Sequence, residues 1–252
     1  MAVTTNTAGP ETTTNLPGGV NTSYRYQAMG LLPIIDPSEQ YTFFDDFTSY
    51  WAANTGTVAN WMTTITQAGA GNATAVVTQE FGGVVLITND DADDDNYFAQ
   101  WKGGNSAAVA ETFKFVSGKQ LWFKCRFKIS DATQSDVVIG LQIADTTPLA
   151  VSDGVYFLKA DGSTTMNLLV TKNGTSTTTA AATMVADTYV ELAFFYNGND
   201  AIEIWLNNNR VANSVTTNLV DDEELAVSFG IQNGEAAAKT MSIDYILCCS
   251  QR

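Results

Sequence analysis

Apolar and polar residues alternate one by one through LWFKCRFKI, residues 121–129. Leu121, Phe123, Cys125, Phe127 and Ile129 face one way; Trp122, Lys124, Arg126 and Lys128 face the other. A two-residue period belongs to a β-strand with one buried face. It makes Cys125 a core residue rather than a reactive thiol. The stretch YVELAFFYNGNDAIEIWLNNNRVAN (189–213) repeats the pattern as strand, turn, strand, turn, strand. Asn197-Gly198 is a hairpin signal, and the run Asn207-Asn208-Asn209 tolerates positive φ. GVYFLKADGSTTMNLLVTKNGTSTTTAAATM (154–184) predicts three more strands, with turns at Asp161-Gly162 and Asn173-Gly174. DDEELAVSF (221–229) reads as an acidic loop entering a strand. No amphipathic helix longer than two turns is predicted.

Strands recurring at this spacing, with turn signals between them, predict an all-β antiparallel sandwich or barrel. No fixed-period repeat points to a propeller or solenoid. Residues 1–40 differ from the rest. They hold four of the five prolines and no periodic apolar face. They read as an extended N-terminal arm, which could reach up to roughly 130 Å at ~3.3 Å per residue. Within it, SYRYQAMGLLPII (23–35) carries the apolar and aromatic content to anchor on a partner. The candidate anchors are Tyr24, Tyr26, Leu31, Leu32, Ile34 and Ile35, with Arg25 as a polar contact.

Composition narrows the function. The 252 residues carry 15% charged side chains and a net charge of −15. That balance excludes wrapping free nucleic acid, which needs a basic footprint to displace phosphate counterions. Six of the twelve basic residues (Lys102, Lys114, Lys119, Lys124, Arg126, Lys128) nevertheless fall within 27 positions. They form a basic stripe or simply offset nearby acid; of these, Lys124, Arg126 and Lys128 could meet an acidic partner surface. Three cysteines, two of them adjacent at 248 and 249, do not form a secreted disulfide framework. The first residues lack a basic run followed by an apolar stretch, so no signal peptide is expected, and no run is long enough to span a membrane. Production in a reducing cytosol fits these features. The chain has no histidine, which removes Ser-His and Cys-His nucleophile pairs, the commonest general base and the commonest metal ligand.

Five aspartates crowd the window Asp90–Asp95. An EF-hand loop starting at Asp91 would place Asp93 and Asp95 at ligand positions. It would also place Asn96 where glycine is needed and Lys102 where a bidentate glutamate is needed. The first reading is therefore a solvated turn, the second calcium held by Asp91, Asp93 and Asp95, the third a catalytic carboxylate cluster. Five tryptophans (51, 61, 101, 122, 205) could stack on sugar rings. Alternation turns Trp122 and Trp205 away from the core, which marks a protein interface or a glycan platform. Glu203 and Trp205 share a face, with no second carboxylate two or four positions away.

The patterns in 189–213, the closing MSIDYILCCSQR and the opening FFDDFTSYW resemble concanavalin A-like (laminin G-like) jelly rolls. This resemblance implies an antiparallel two-sheet jelly-roll sandwich over 41–252. Jelly-roll glucanases carry a Glu-x-Asp-x-x-Glu strand, which this chain lacks, so no enzymatic activity is expected. FGGVVLITNDDADDDNYFAQW (81–101) is similar to β-sandwich virion proteins of tailed bacteriophages. That likeness implies a structural protein on the capsid surface, made in the host cytoplasm. It would decorate or cement the capsid by binding the major capsid protein and neighbouring copies of itself as a dimer or trimer, with no cofactor. The alternative is a carbohydrate-binding tail or head-fibre lectin.

Overall fold

A computed structural model describes residues 40–53, 58–68, 71–78, 80–104 and 108–252. The predicted arm and its anchors Tyr24, Arg25, Tyr26, Leu31, Leu32, Ile34 and Ile35 lie outside the described residues.

Sixteen strands are described: β1 (Gln40–Asp45), β2 (Ala52–Ala53), β3 (Ala59–Thr66), β4 (Thr74–Val77), β5 (Val85–Thr88), β6 (Asn96–Gly104), β7 (Leu121–Ile129), β8 (Ser135–Gln142), β9 (Gly154–Lys159), β10 (Thr165–Lys172), β11 (Thr175–Thr183), β12 (Val190–Tyr196), β13 (Ala201–Leu206), β14 (Asn209–Val215), β15 (Ala226–Asn233) and β16 (Thr240–Gln251). The helical content of the described residues is one 3-10 turn at Pro148–Ala150, and none of their helices is long and apolar enough to cross a membrane. The strands form two eight-stranded sheets. The first runs β14-β13-β12-β7-β16-β5-β4, with β1 also on β16; the second runs β11-β10-β9-β8-β15-β6-β3-β2. All pairs are antiparallel except the two-residue β2 on β3.

Local chemistry explains the turns. Asn173 and Gly174 take φ of 50° and 74°, and Asn207 and Asn208 take 49° and 64°. A two-residue hairpin requires such values, because they match the right-handed strand twist. The long closing strand β16 organises the first sheet. It pairs β7 along one flank. Along the other, Thr240–Ile243 pair with β5 and Ile246–Gln251 with β1. The register shift between Ile243 and Tyr245 falls at the junction.

The core lies between the sheets. The inward residues of LWFKCRFKI, Cys125 among them, are all buried. Phe123 stacks on Phe194 with ring centroids 5.1 Å apart. Trp61 is fully buried. It sits 4.7 Å from Phe229 and 5.3 Å from Trp101, and its Nε1 donates to Asp45 Oδ2 at 3.2 Å. That removes Trp61 from the sugar-stacking candidates. Full burial of one such ring contributes roughly 1.5–3 kcal/mol.

Candidate functional site

Strand β7 presents its even positions on the outer face of the first sheet, as the alternation predicts. Two kinds of surface result. Trp122 lies opposite Phe195 on β12 and Cys249 on β16, and it stacks on Phe195 at 5.2 Å. Ala193, opposite Trp205 on β13, completes the patch with Phe195, Trp205 and Cys249. Trp122 points outward, as alternation predicts, but is only 4% exposed, and Trp205 is half-buried. The indole Nε1 of Trp205 is buried without a hydrogen-bond acceptor.

Further along the same face, the basic stripe is answered within the chain. Lys124 Nζ lies 2.8 Å from Glu191 Oε1 and donates to Asn208 Oδ1 at 2.8 Å. Arg126 pairs with Asp244 and sits 4.1 Å above the Tyr189 ring, with Lys128 4.8 Å from the same ring. Tyr189 in turn donates to Glu80 at 3.3 Å. Partial burial, with Glu80 beside it, pushes its phenol up to about 12. Tyr245 donates to the other oxygen of Glu191, and burial raises its phenol further still. The basic stripe is thus a compensated lattice, in which Lys124 and Arg126 face opposite charges across adjacent strands at hydrogen-bond distance. An acidic partner would still have to break contacts already made.

On the outer face of the second sheet, Phe98 and Tyr156 belong to one apolar cluster. Phe98 lies opposite Gly230 and Tyr156 opposite Gly140. With Val138 they form an apolar cluster that residues 143–151 cover through Ile143, Leu149 and Val151. Two buried glutamines latch that loop down. Gln100 Nε2 donates to the Ile143 carbonyl at 2.9 Å, while its Oε1 accepts from the Asp145 amide at 3.0 Å. Gln142 Nε2 donates to the Pro148 carbonyl at 2.7 Å. No sequence signal separates these glutamines from surface ones; Phe195, by contrast, follows from alternation once β7 and β12 are paired.

The aspartate turn is partly solvated. Asp91, Asp93 and Asp94 are exposed, but Asp95 is fully buried. Its oxygens accept from the Ala68 amide at 2.6 Å and the Ala92 amide at 3.1 Å. Asn89 donates to the Asp95 carbonyl at 2.9 Å, and Asn233 donates to the Asp90 and Ala92 carbonyls at 2.7 and 2.8 Å. Asp95 therefore holds backbone amides instead of converging with Asp91 and Asp93. Among the described residues no group of three His, Cys, Asp or Glu side chains gathers as a metal site. Glu203 pairs with Arg210 at 3.1 Å. A shallow depression lies beside it on β14, lined by Arg210, Val211, Ala212 and Asn213.

No family model matches the chain, and no curated protein matches it. Solved structures do. A protein of unknown function from Shewanella oneidensis MR-1 is 16% identical, with 92% of this chain and 95% of that chain covered and a TM-score of 0.57. The carbohydrate recognition domain of Emp47p is 11% identical over 85% and 98% of the two chains, with a TM-score of 0.55. A prokaryotic β-1,3-1,4-glucanase (lichenase) from a mouse hindgut metagenome is 11% identical over 82% and 97%, with a TM-score of 0.54. The fold is accordingly the concanavalin A-like jelly roll, the architecture of that carbohydrate recognition domain and of that glucanase.

Proposed function

We propose that this chain is a non-enzymatic virion structural protein of tailed bacteriophages, one that decorates or cements the capsid. One observation carries the reading: the chain's own loop fills the outer face of the second sheet around Phe98 and Tyr156. Catalysis or tight small-ligand capture needs a concave surface with convergent polar groups. Here the loop occupies that ground, and Glu203 faces an arginine rather than a second carboxylate. What remains is adhesion between surfaces. The segment before Gln40 supplies the tether, with Tyr24, Arg25 and Tyr26 meeting the major capsid protein and the sandwich packing on copies of itself. Linked weak contacts gain from effective concentration, so modest interfaces hold firmly.

Co-sedimentation with particles stripped of the protein tests this. The full chain should pellet with them, and the chain lacking residues 1–39 should stay in the supernatant. Equal pelleting of both forms would remove the tether from the account. The likeness to a carbohydrate recognition domain favours a second reading, a glycan-binding module. A glycan array would support it if it gave a specific hit that Trp205→Ala abolishes.

A further inference from the structure

Proteins normally blunt the edge of a sheet with a short strand, a charge, a proline or a bulge. Along residues 175–180, β11 has none of these. The two sheet paths end at β14, β4, β11 and β2. Of these, β4 has four residues and β2 two, and β14 carries Arg210 beside a break in its register with β13. Strand β11, TSTTTAAAT, has nine residues and no charge, and no charged residue falls anywhere in 173–186. The irregularity in its pairing lies toward its end, where a shift at Met166 and Asn167 leaves Ala181 without a partner on β10. Residues 175–180 remain in unbroken register.

The turn before β11 fixes which backbone groups face its free edge. A two-residue hairpin at Asn173-Gly174 makes Lys172 and Thr175 a hydrogen-bonded pair, and such pairs alternate along an antiparallel ladder. Thr177 and Thr179 therefore aim their amides and carbonyls at β10, while Ser176, Thr178 and Ala180 turn theirs outward. All three outward residues are exposed. Among the described residues, no backbone hydrogen bond outside the ladder reaches them. The strand itself is held in place. Thr177 lies opposite core-facing Val170, and its Oγ1 accepts from Asn218 Nδ2 at 2.9 Å. The Thr171 and Ser176 hydroxyls bond each other at 2.8 Å.

The outward residues are complementary to themselves. Antiparallel pairing about a two-fold axis through Thr178 sets Thr178 opposite Thr178 and Ser176 opposite Ala180 on both sides, so each outward pair exchanges two hydrogen bonds. Charge favours the same partner. Like charges directly opposite each other destabilise a strand pair, and copies of a chain at −15 repel one another; β11 is the longest strand at a sheet end, and along it two copies meet without opposing charges. We propose that two copies of this chain pair antiparallel along β11, Thr178 against Thr178, joining their second sheets into one continuous sheet. A contact of one strand edge is smaller than the ~1,200–2,000 Å² of a stable interface, so the dimer is weak in free solution and becomes firm where both copies are tethered to one particle. The inference rests on the reading that copies of the sandwich pack on one another, and it names the surface they use.

Sedimentation velocity of the purified full-length chain at raised salt tests it. A monomer–dimer equilibrium is expected, and Thr178→Pro should abolish the dimer. Proline removes the outward N–H without taking a bond from the β10 ladder, so the β-sheet circular dichroism should stay unchanged. Introduced cysteines test the register independently of that variant, since the native three are buried. Thr178→Cys should give a disulfide-linked dimer on mild oxidation. Ser176→Cys and Ala180→Cys chains should link to each other when mixed and far less when each is alone. A chain that sediments as a monomer at every concentration, a dimer that survives Thr178→Pro, or cysteines at position 178 that fail to link would overturn the proposal. No particle takes part, so the outcome is independent of the co-sedimentation result.

Discussion

Gly230 and Gly140 are places where one side chain decides whether a sheet can close. A Cβ on Gly230 would stand 2.3 Å from Phe98 Cδ1 and 2.4 Å from the Tyr97 carbonyl; on Gly140 it would stand 2.4 Å from Tyr156 Cα. Each glycine lets an aromatic neighbour lie against the strand. Gly230→Ala is expected to destabilise the fold by about 1–3 kcal/mol, the usual cost of overpacking, read as a lower urea midpoint. Asp131 sets an acid limit. Burial alone would raise its carboxyl, but the hydrogen bond from Lys239 and the amides of Gln134 and Thr133 outweigh burial and hold it at about 2. A carboxylate depressed in the folded state contributes stability that is present above its unfolded value of ~3.9 and lost as pH falls through the folded one. The urea midpoint should therefore drop between about pH 4 and 2, and Lys239→Met should flatten that limb. The cysteines make a third residue-scale prediction. All three are buried and free, and burial raises the Cys125 and Cys248 thiols, which suppresses the reactive thiolate. A thiol reagent should find none of them in the native protein within the mixing time, and three in denaturant.

At the scale of elements, period-two runs were the readable part of the sequence. LWFKCRFKI coincides with β7, and the Asn-Gly and Asn-Asn turns take the positive φ that their residues permit. The outer faces were harder to read because alternation tells which way a side chain points and not what lies above it. Trp122 and the Lys124–Arg126–Lys128 row illustrate this: their direction was legible, but their partners, Phe195, Glu191 and Tyr189, arrive from distant sequence. Buried polar residues escaped for the same reason. Lys159 occupies an inward position of β9, and its ammonium caps the Thr133 and Ser135 carbonyls, which no local pattern announces. The loop latch yields a prediction at this scale. Gln100→Leu removes the bonds to Ile143, Asp145 and Ser228. Hydrogen exchange should accelerate across residues 143–153 and stay unchanged in β12–β14. Uniform acceleration would mean that Gln100 supports the whole sandwich rather than the loop.

Over the whole molecule, the described residues from Gln40 onward form two sheets with a common core between them. Removing residues 1–39 should leave them folded, with an unchanged β-sheet circular dichroism spectrum, and should strip them of partner attachment. The net charge of −15 makes close association between copies weaker at low salt, since like-charged surfaces repel over a Debye length of ~10 Å at 0.1 M. Association between copies should therefore strengthen as salt is raised, as sedimentation velocity would show. The central claim is that this sandwich works on a particle surface, and immunogold electron microscopy of the parent particle, with antibody against residues 40–252, tests it most directly. Regular label over the head is the predicted result. Label confined to the tail, or particles without label, would contradict it.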